Sequence, residues 1–182
     1  MILCSSAKPG HFPGMMANRL MEKTLQDLSE TVLAACREAR LKLGTAESCT
    51  GGMVAAALTD IAGSSDVVER GFVTYSNEAK SELLGVPAEM IAAHGAVSAQ
   101  VAAAMVQGAL ARAPVDLAVS ITGIAGPGGA TKGKPVGLVY FGIGRKGGAP
   151  RVERHTFQGD RATVRTAATE RALELLLEAA RG

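Results

Sequence analysis

Helical patterns and short apolar strand patterns alternate along this chain of 182 residues, and that alternation restricts the fold to the α/β class. Residues 115–122 form a near-continuous apolar run, which is typical of a central strand buried on both faces. Two later strand patterns, residues 136–144 and 151–157, flank the Gly147-Gly148 turn and predict a hairpin. The sequence therefore predicts a three-layer α/β/α sandwich around a mixed, mostly parallel sheet.

Residues 21–182 are predicted to form a single domain, because no linker or internal repeat interrupts the alternating pattern. Residues 1–20 carry two Pro and two Gly with little periodicity, which predicts a disordered extension. The remaining strands are expected near residues 41–45 and 67–75. Helices are expected at about residues 23–40, 51–61, 77–84, 88–93, 98–112 and 160–180.

Composition limits the classes of function. The net charge is only +2 and no basic run is interleaved with aromatic residues, so no nucleic-acid partner is expected. No apolar stretch approaches the roughly 18 residues of a membrane span, and the first residues lack the pattern of a signal peptide. The three cysteines fit neither a disulfide framework nor a zinc motif. We therefore expect a reduced, cytoplasmic protein without a membrane partner.

Two nucleophilic side chains lie on a predicted strand-to-helix turn, in the sequence Thr-Ala-Glu-Ser-Cys-Thr-Gly-Gly of residues 45–52. Backbone N–H groups at the start of a helix carry partial positive charge, which suits an anion or a developing oxyanion. Ser48 and Cys49 are therefore candidate nucleophiles. The alternative is structural, with Ser48 or Thr50 capping the helix that follows.

A tyrosine and a lysine follow the next predicted strand. Tyr75 falls where the strand ends, and Lys80 falls in the first turn of the helix at 77–84. A cation in that turn faces the unfavourable end of the helix dipole, and partial burial would further favour the neutral amine. Lys80 is therefore a candidate base. The alternative is a solvated lysine beside a tyrosine at the edge of the core.

A glycine-rich loop follows the most apolar strand of the chain. In open α/β sheets, ligands bind outside the carboxyl ends of the strands, and closely spaced glycines let backbone N–H groups approach a ligand. The thirteen residues from 123 to 135 are long for a hairpin loop, which favours a functional role. A flexible connection without a ligand is the alternative.

Two arginines one helical turn apart open the last predicted helix, after Asp160 as a candidate cap. Neither Arg161 nor Arg165 has an acidic residue three or four positions away, so the pair is uncompensated within its helix. Such a pair beside a helix N-terminus predicts a phosphate site, and salt bridges to another segment are the alternative. The three histidines are isolated, so no metal is expected.

Five motifs stand in the order found in the CinA C-terminal domain family, and the chain resembles that family from about residue 20 to its end. Each motif is weak alone, but their order is specific. They are residues 46–52, 74–80, 95–98 and 122–129, and the Gly-Asp-Arg of 159–161 followed by Arg165.

The resemblance implies hydrolysis of the carboxamide of nicotinamide mononucleotide to nicotinate mononucleotide and ammonia, without a cofactor. It implies that Ser48 is the nucleophile, that Lys80 is its general base and that Tyr75 relays or stabilises the proton. It also implies a homodimer or a higher homo-oligomer. The expected contacts with the small-molecule nucleotide substrate are Thr50, Gly51, Gly52, Thr122, Gly123, Gly126, and Arg161 or Arg165 on the 5′-phosphate.

Two other functions stay open on the sequence alone. One is a non-catalytic nucleotide-binding module that acts with a partner in competence or recombination. The other is a hydrolase or redox protein that depends on Cys49, because a thiol at a helix N-terminus has a depressed pKa. No histidine lies near Cys49 in the sequence to serve as its base.

Overall fold

A computed structural model describes the backbone of residues 13–182 and the side chains of residues 25–182. The strands are β1 (Leu43–Glu47), β2 (Val68–Val73), β3 (Leu117–Gly123), β4 (Leu138–Arg145) and β5 (Arg151–Thr156). The helices are α1 (Pro13–Ala39), α2 (Met53–Thr59), α3 (Asn77–Leu84), α4 (Ala88–His94), α5 (Ala99–Arg112) and α6 (Arg161–Arg181), with a short 3-10 helix at Ser64–Asp66.

The five strands form one mixed sheet in the order β2-β1-β3-β4-β5. Strands β2, β1 and β3 are parallel, while β4 and β5 are antiparallel to their neighbours. The predicted mixed sheet and hairpin are therefore confirmed, and the parallel part is confined to three strands. Glu47, the last residue of β1, is in register with Val73 of β2 and Ile121 of β3, so three carboxyl ends meet at one edge.

Helices cover both faces of the sheet, which confirms the predicted three layers. On one face, α1, α2 and α6 bury residues such as Leu33, Leu58 and Leu173 against the strands. On the other, α3, α4 and α5 bury residues such as Leu84 and Met105. The central strand β3 is buried along almost its whole length, as its apolar sequence predicts.

Two boundaries differ from the predictions near the start of the chain. The predicted disordered extension lies outside the described residues over 1–12, and from Pro13 the backbone is helical. Proline suits the first position of a helix because an N–H there would have no partner. Helix α2 begins at Met53 rather than 51, because Gly51 and Gly52 have positive φ angles of 62° and 98° and form a turn instead.

Within the described part of the chain, no helix is both long and apolar enough to cross a bilayer.

Candidate active site

The candidate site lies at the edge where the three parallel strands end. Ser48 follows β1 directly, and its N–H donates to the carbonyl of Ile121 on β3 at 2.9 Å. Thr74 follows β2, and its N–H donates to the carbonyl of Glu47 at 2.8 Å. These bonds continue the sheet by one residue past β1 and β2. The backbone on both sides of the nucleophile candidate is therefore fixed.

Lys80 reaches Ser48 from the first turn of α3, with 3.0 Å between Lys80 Nζ and Ser48 Oγ. The same nitrogen donates to the carbonyls of Thr74 at 2.9 Å and Ser76 at 3.4 Å. A neutral amine has two N–H bonds and one lone pair, and carbonyl oxygens only accept. If the neutral amine directs both hydrogens at these carbonyls, its lone pair is left to accept the proton of the Ser48 hydroxyl. This arrangement suits proton transfer from serine to lysine.

The surroundings of Lys80 favour its neutral form. The side chain is only 1% exposed, and burial lowers its pKa below the ordinary value for lysine, against smaller opposing effects of Cys49 and Glu78. Among the described residues, no carboxylate forms a salt bridge with Lys80. Ser76 caps α3 by accepting from the N–H of Ala79 at 3.0 Å, so Lys80 sits at the positive end of that helix.

Cys49 lies in an environment that suppresses its reactivity. Its side chain is buried, and burial raises the pKa of the thiol to about 11, with a further increase from the Glu47 charge. The depressed pKa expected at a helix N-terminus is therefore wrong, because burial outweighs the favourable backbone N–H groups. Since the thiolate is the reactive form of cysteine, this geometry disfavours Cys49 as the nucleophile.

Helix α2 is capped by Glu47, and not by Ser48 or Thr50 as the structural alternative proposed. The N-cap residue of α2 is Gly52, which has no side chain to form a capping bond. The Glu47 carboxylate is fully buried and lies against the start of α2. It accepts hydrogen bonds from the N–H groups of Gly52 at 3.0 Å, Val54 at 3.1 Å and Ala55 at 2.9 Å, and from the Thr45 hydroxyl at 3.2 Å.

No role for Glu47 was predicted from the sequence, although it lies within the motif that contains Ser48. The sequence of α2 could have indicated this role, because α2 has Gly at its N-cap and no acidic residue in its first turn. Such a helix start needs an acceptor from elsewhere. Because Glu47 occupies these N–H groups, the start of α2 does not offer them to a substrate anion.

The other predicted residues take varied positions. Gly51 is exposed, whereas Thr50 is fully buried and its hydroxyl has no partner among the described residues. Thr122 is buried, and its hydroxyl donates to the carbonyl of Ala96 at 2.8 Å. Gly123 permits a close approach, since a Cβ there would lie 3.1 Å from the Cys49 sulfur.

Tyr75, Arg161 and Gly126 form a chain of contacts around the site, which we call the rim. Tyr75 is 60% exposed, and its hydroxyl accepts a hydrogen bond from Arg161 at 2.8 Å. Arg161 also donates to the carbonyl of Gly126 in the glycine-rich loop at 2.9 Å. No hydrogen bond joins Tyr75 to Lys80 or Ser48 within the described side chains, so the direct proton relay is not formed in this structure.

Arg165 lies elsewhere and is half-buried. Its guanidinium donates to the carbonyls of Cys49 at 3.1 Å and Thr50 at 2.8 Å. The alternative of salt bridges to another segment is not found: among the described residues, neither Arg161 nor Arg165 pairs with a carboxylate. Nor does this part of the chain bring together three His, Cys, Asp or Glu side chains that could hold a metal ion.

Comparisons with known proteins agree on one family. The sequence profile of the CinA C-terminal domain matches residues 25–180. The chain is 51% identical over 157 residues to the nicotinamide-nucleotide amidohydrolase PncC of Escherichia coli K12, covering 86% of this chain and 95% of that protein. It is also 49% identical over 151 residues to a putative competence-damage inducible protein of Caldicellulosiruptor bescii, covering 83% of this chain but only 36% of that protein.

Solved structures with related sequences have the same fold. The competence/damage inducible protein CihA from Agrobacterium tumefaciens matches with a TM-score of 0.83 at 44% identity, covering 85% of this chain and 94% of that one. A CinA superfamily protein from Escherichia coli matches with a TM-score of 0.78 at 38% identity, covering 87% and 90% of the two chains.

Proposed function

The chain belongs to the CinA C-terminal domain family, and on that premise we propose that it hydrolyses the carboxamide of nicotinamide mononucleotide to nicotinate mononucleotide and ammonia. The observation that carries this proposal is the 3.0 Å contact between Ser48 Oγ and the Nζ of a buried Lys80. The similarity to a nicotinamide-nucleotide amidohydrolase, over 95% of that protein's length, supports the proposed substrate.

In the first half of the reaction, Lys80 takes the proton of the Ser48 hydroxyl while Ser48 Oγ attacks the carboxamide carbon. The carbonyl π electrons move to oxygen and form a tetrahedral oxyanion. When the oxyanion collapses, the C–N bond breaks and the protonated Lys80 gives its proton to the leaving nitrogen. Ammonia departs and a nicotinoyl ester of Ser48 remains.

In the second half, a water molecule takes the place of ammonia. Neutral Lys80 accepts a proton from that water, the resulting hydroxide adds to the ester carbon, and the ester bond breaks. Lys80 then returns the proton to Ser48 Oγ, so the enzyme is restored and nicotinate mononucleotide leaves. The same pair of residues therefore serves both halves, as a Ser–Lys variant of the serine hydrolase mechanism.

The nucleotide part of the substrate is proposed to contact the rim and the glycine-rich loop. Arg161 is exposed and already has two hydrogen bonds to Tyr75 and Gly126, which orient its guanidinium without neutralising it. We assign the 5′-phosphate to Arg161 and to backbone N–H groups of the glycine-rich loop, because the N–H groups of Gly51 and Gly52 already donate to Ser48 and Glu47. Tyr75 then positions Arg161, in place of the direct proton relay.

Three further properties belong to the proposal. The reaction uses no cofactor or metal. The enzyme acts in the cytoplasm, in the recycling of pyridine nucleotides. It forms a homodimer or a higher homo-oligomer. Light scattering of the purified chain measures the last of these, and a monomer at micromolar concentration would contradict it. Exhaustive chelation tests the first, because activity that disappears and returns with one divalent ion would contradict a metal-free reaction.

Ammonia release from nicotinamide mononucleotide tests the activity, with nicotinamide, its riboside and the dinucleotide as comparison substrates. Ser48→Ala should abolish release, whereas Cys49→Ala should keep most of it, because Cys49 is a buried thiol with a raised pKa. An active Ser48→Ala enzyme would refute the mechanism. A folded wild-type enzyme that binds the mononucleotide but releases no ammonia would favour the binding module instead.

Arg161→Ala tests the phosphate assignment. The loss of a charge-assisted hydrogen bond is worth roughly 1.5–3 kcal/mol, so KM for the mononucleotide should rise about tenfold or more. Activity on the riboside, which lacks the phosphate, should barely change. Equal losses on the two substrates would show that Arg161 does not bind the phosphate.

A further inference from the structure

The nucleophile turn, residues 48–52, leaves two backbone N–H groups with no strong acceptor. The other N–H groups of residues 48–55 donate to the Glu47 carboxylate or to backbone carbonyls. Those of Cys49 and Thr50 have only the Cys49 sulfur within reach among the described residues, and sulfur is a weak acceptor. The two residues after Ser48 therefore carry N–H groups that no carbonyl or carboxylate among the described residues accepts.

The carbonyl oxygens of the same two residues are both held by Arg165, at 3.1 Å from Cys49 and 2.8 Å from Thr50. In a trans peptide the C=O and the N–H point in opposite directions. The peptide that joins Cys49 to Thr50 therefore directs its N–H away from the guanidinium. A charge-assisted bond to the carbonyl also polarises the peptide and makes that N–H a better donor.

The turn is shaped to admit this guanidinium. Gly51 has a φ of 62°, and a Cβ at this position would lie 3.3 Å from Nη2 of Arg165. Arg165 also has no carboxylate partner among the described residues. Its charge is thus directed at two neutral carbonyls, which orients them without forming an ion pair.

We infer that Arg165 is a positioning residue that fixes the nucleophile turn so that the N–H of Thr50, with that of Cys49, binds the oxyanion formed when Ser48 attacks an amide. The inference rests on the proposed function. It separates Arg165 from Arg161, because the guanidinium of Arg165 is already committed to the turn. It also replaces the start of α2 as the source of oxyanion donors, since Glu47 occupies that helix start.

Steady-state kinetics of Arg165→Gln and Arg165→Lys on the mononucleotide and the riboside test this role. Removal or misplacement of an oxyanion donor lowers kcat by about 10–1,000-fold. We expect Arg165→Gln to lower kcat by about 10–100-fold on both substrates, with KM within about threefold of wild type. Arg165→Lys retains one charged donor and should lose less. Arg181→Ala, which removes an exposed charge from the same helix, is the control and should match wild type.

Two kinetic outcomes overturn the inference. One is a KM increase of about tenfold or more on the mononucleotide with no change on the riboside, which assigns Arg165 to the phosphate. The other is an unchanged kcat in a variant whose free energy of unfolding is reduced, which makes the contact purely structural. Urea unfolding of each variant supplies that second measurement.

Labelling of Ser48 by a small fluorophosphonate separates this inference from the proposed function. Lys80 takes the proton of Ser48 Oγ as the P–O bond forms, the P–F bond breaks and fluoride leaves, and the phosphoryl oxygen uses the same donors as an amide oxyanion. Arg165→Gln should slow labelling about tenfold or more, as measured by intact mass. If the variant is labelled slowly and the wild type releases no ammonia, the proposed substrate is refuted but the positioning role of Arg165 is supported. Equal labelling rates refute the inference, and an unlabelled, inactive wild type refutes both.

Discussion

Replacement of Glu47 by glutamine tests whether a buried carboxylate organises the candidate site. The carboxylate is fully buried and accepts four hydrogen bonds, two on each oxygen. Glutamine has nearly the same shape but only one acceptor oxygen. If that oxygen keeps the N–H groups of Gly52 and Val54, the amide nitrogen faces the N–H of Ala55. The substitution therefore places two hydrogen-bond donors, the side-chain amide and the N–H of Ala55, against each other inside the protein.

The size of the effect follows from these bonds. A buried N–H without an acceptor costs about 1–3 kcal/mol, and the loss of a negative charge at a helix N-terminus costs about 0.3–1 kcal/mol more. A neutral amide is easier to bury than a carboxylate, which offsets part of this cost. We expect Glu47→Gln to reduce the free energy of unfolding by about 2 kcal/mol, which lowers Tm by about 4–8 °C in a chain of this length.

The activity of Glu47→Gln should also fall, because Glu47 precedes Ser48 and holds the helix that follows it. A displacement of about 1 Å at a catalytic group costs on the order of 100-fold, so a partial shift should lower kcat by about tenfold or more. Urea unfolding measures stability, and ammonia release under conditions where the variant is fully folded measures kcat.

Glu89→Gln is the matched control, since Glu89 lies in the first turn of α4 and is exposed. Surface substitutions of this kind usually change stability by less than about 0.5 kcal/mol. If Glu47→Gln falls within that range and keeps its kcat, the carboxylate neither caps α2 to any measurable effect nor organises the turn that carries Ser48.

The remaining predictions concern other groups. Because only neutral Lys80 accepts a proton, kcat/KM should rise with pH through an apparent pKa below that of ordinary lysine, and Lys80→Arg should be inactive at every pH; an active variant would contradict this. Thr50→Val should keep its activity and should match wild-type stability or exceed it by about 1 kcal/mol, because the Thr50 hydroxyl has no partner among the described residues. Lost activity would show instead that the hydroxyl contacts the substrate. Burial raises the pKa of Glu153, but hydrogen bonds from His155 and Arg171 outweigh it and leave the pKa lowered. The stability that the ionised Glu153 contributes is complete above the ordinary glutamate pKa of about 4.3 and is lost as the pH falls through the lowered value. Arg171→Met should therefore reduce the free energy of unfolding more at pH 7 than at pH 3, as measured by urea unfolding. Equal losses at the two pH values would refute this.

Helix boundaries with local signals were predictable from the sequence. Helix α3 spans Asn77–Leu84 as predicted, because Gly85 adopts the left-handed conformation that ends helices. The predicted cap Asp160 is confirmed, since its side chain accepts from the N–H of Thr163 at 2.8 Å. Ser98 caps α5 in the same way, accepting from the N–H of Val101 at 3.3 Å. In each case the residue that sets the boundary is a near neighbour of the helix.

The contact of Ser48 with Lys80 agrees with the pairing that the family resemblance implies, and the sheet explains how it arises. Each residue follows a strand of the parallel part of the sheet, and parallel strands end at the same edge, so a separation of 32 positions in sequence becomes 3.0 Å in space. The sequence supplied both the strand pattern and two chemically distinctive side chains, a hydroxyl and an amine. The family resemblance supplied the pairing, and the adjacency of β1 and β2 in the structure accounts for it.

The separate roles of Arg161 and Arg165 could not be anticipated in that way. Both are arginines on one face of one helix, and four positions apart they look alike in sequence. What distinguishes them is their acceptors: Arg161 donates to one carbonyl and one tyrosine hydroxyl, 35 and 86 positions away, and Arg165 donates to two carbonyls, 116 and 115 positions away. Every residue carries a backbone carbonyl, so carbonyl partners cannot be recognised from the sequence. An arginine without a nearby acid therefore indicates either a bound anion or a backbone to be held, and only the folded chain distinguishes the two.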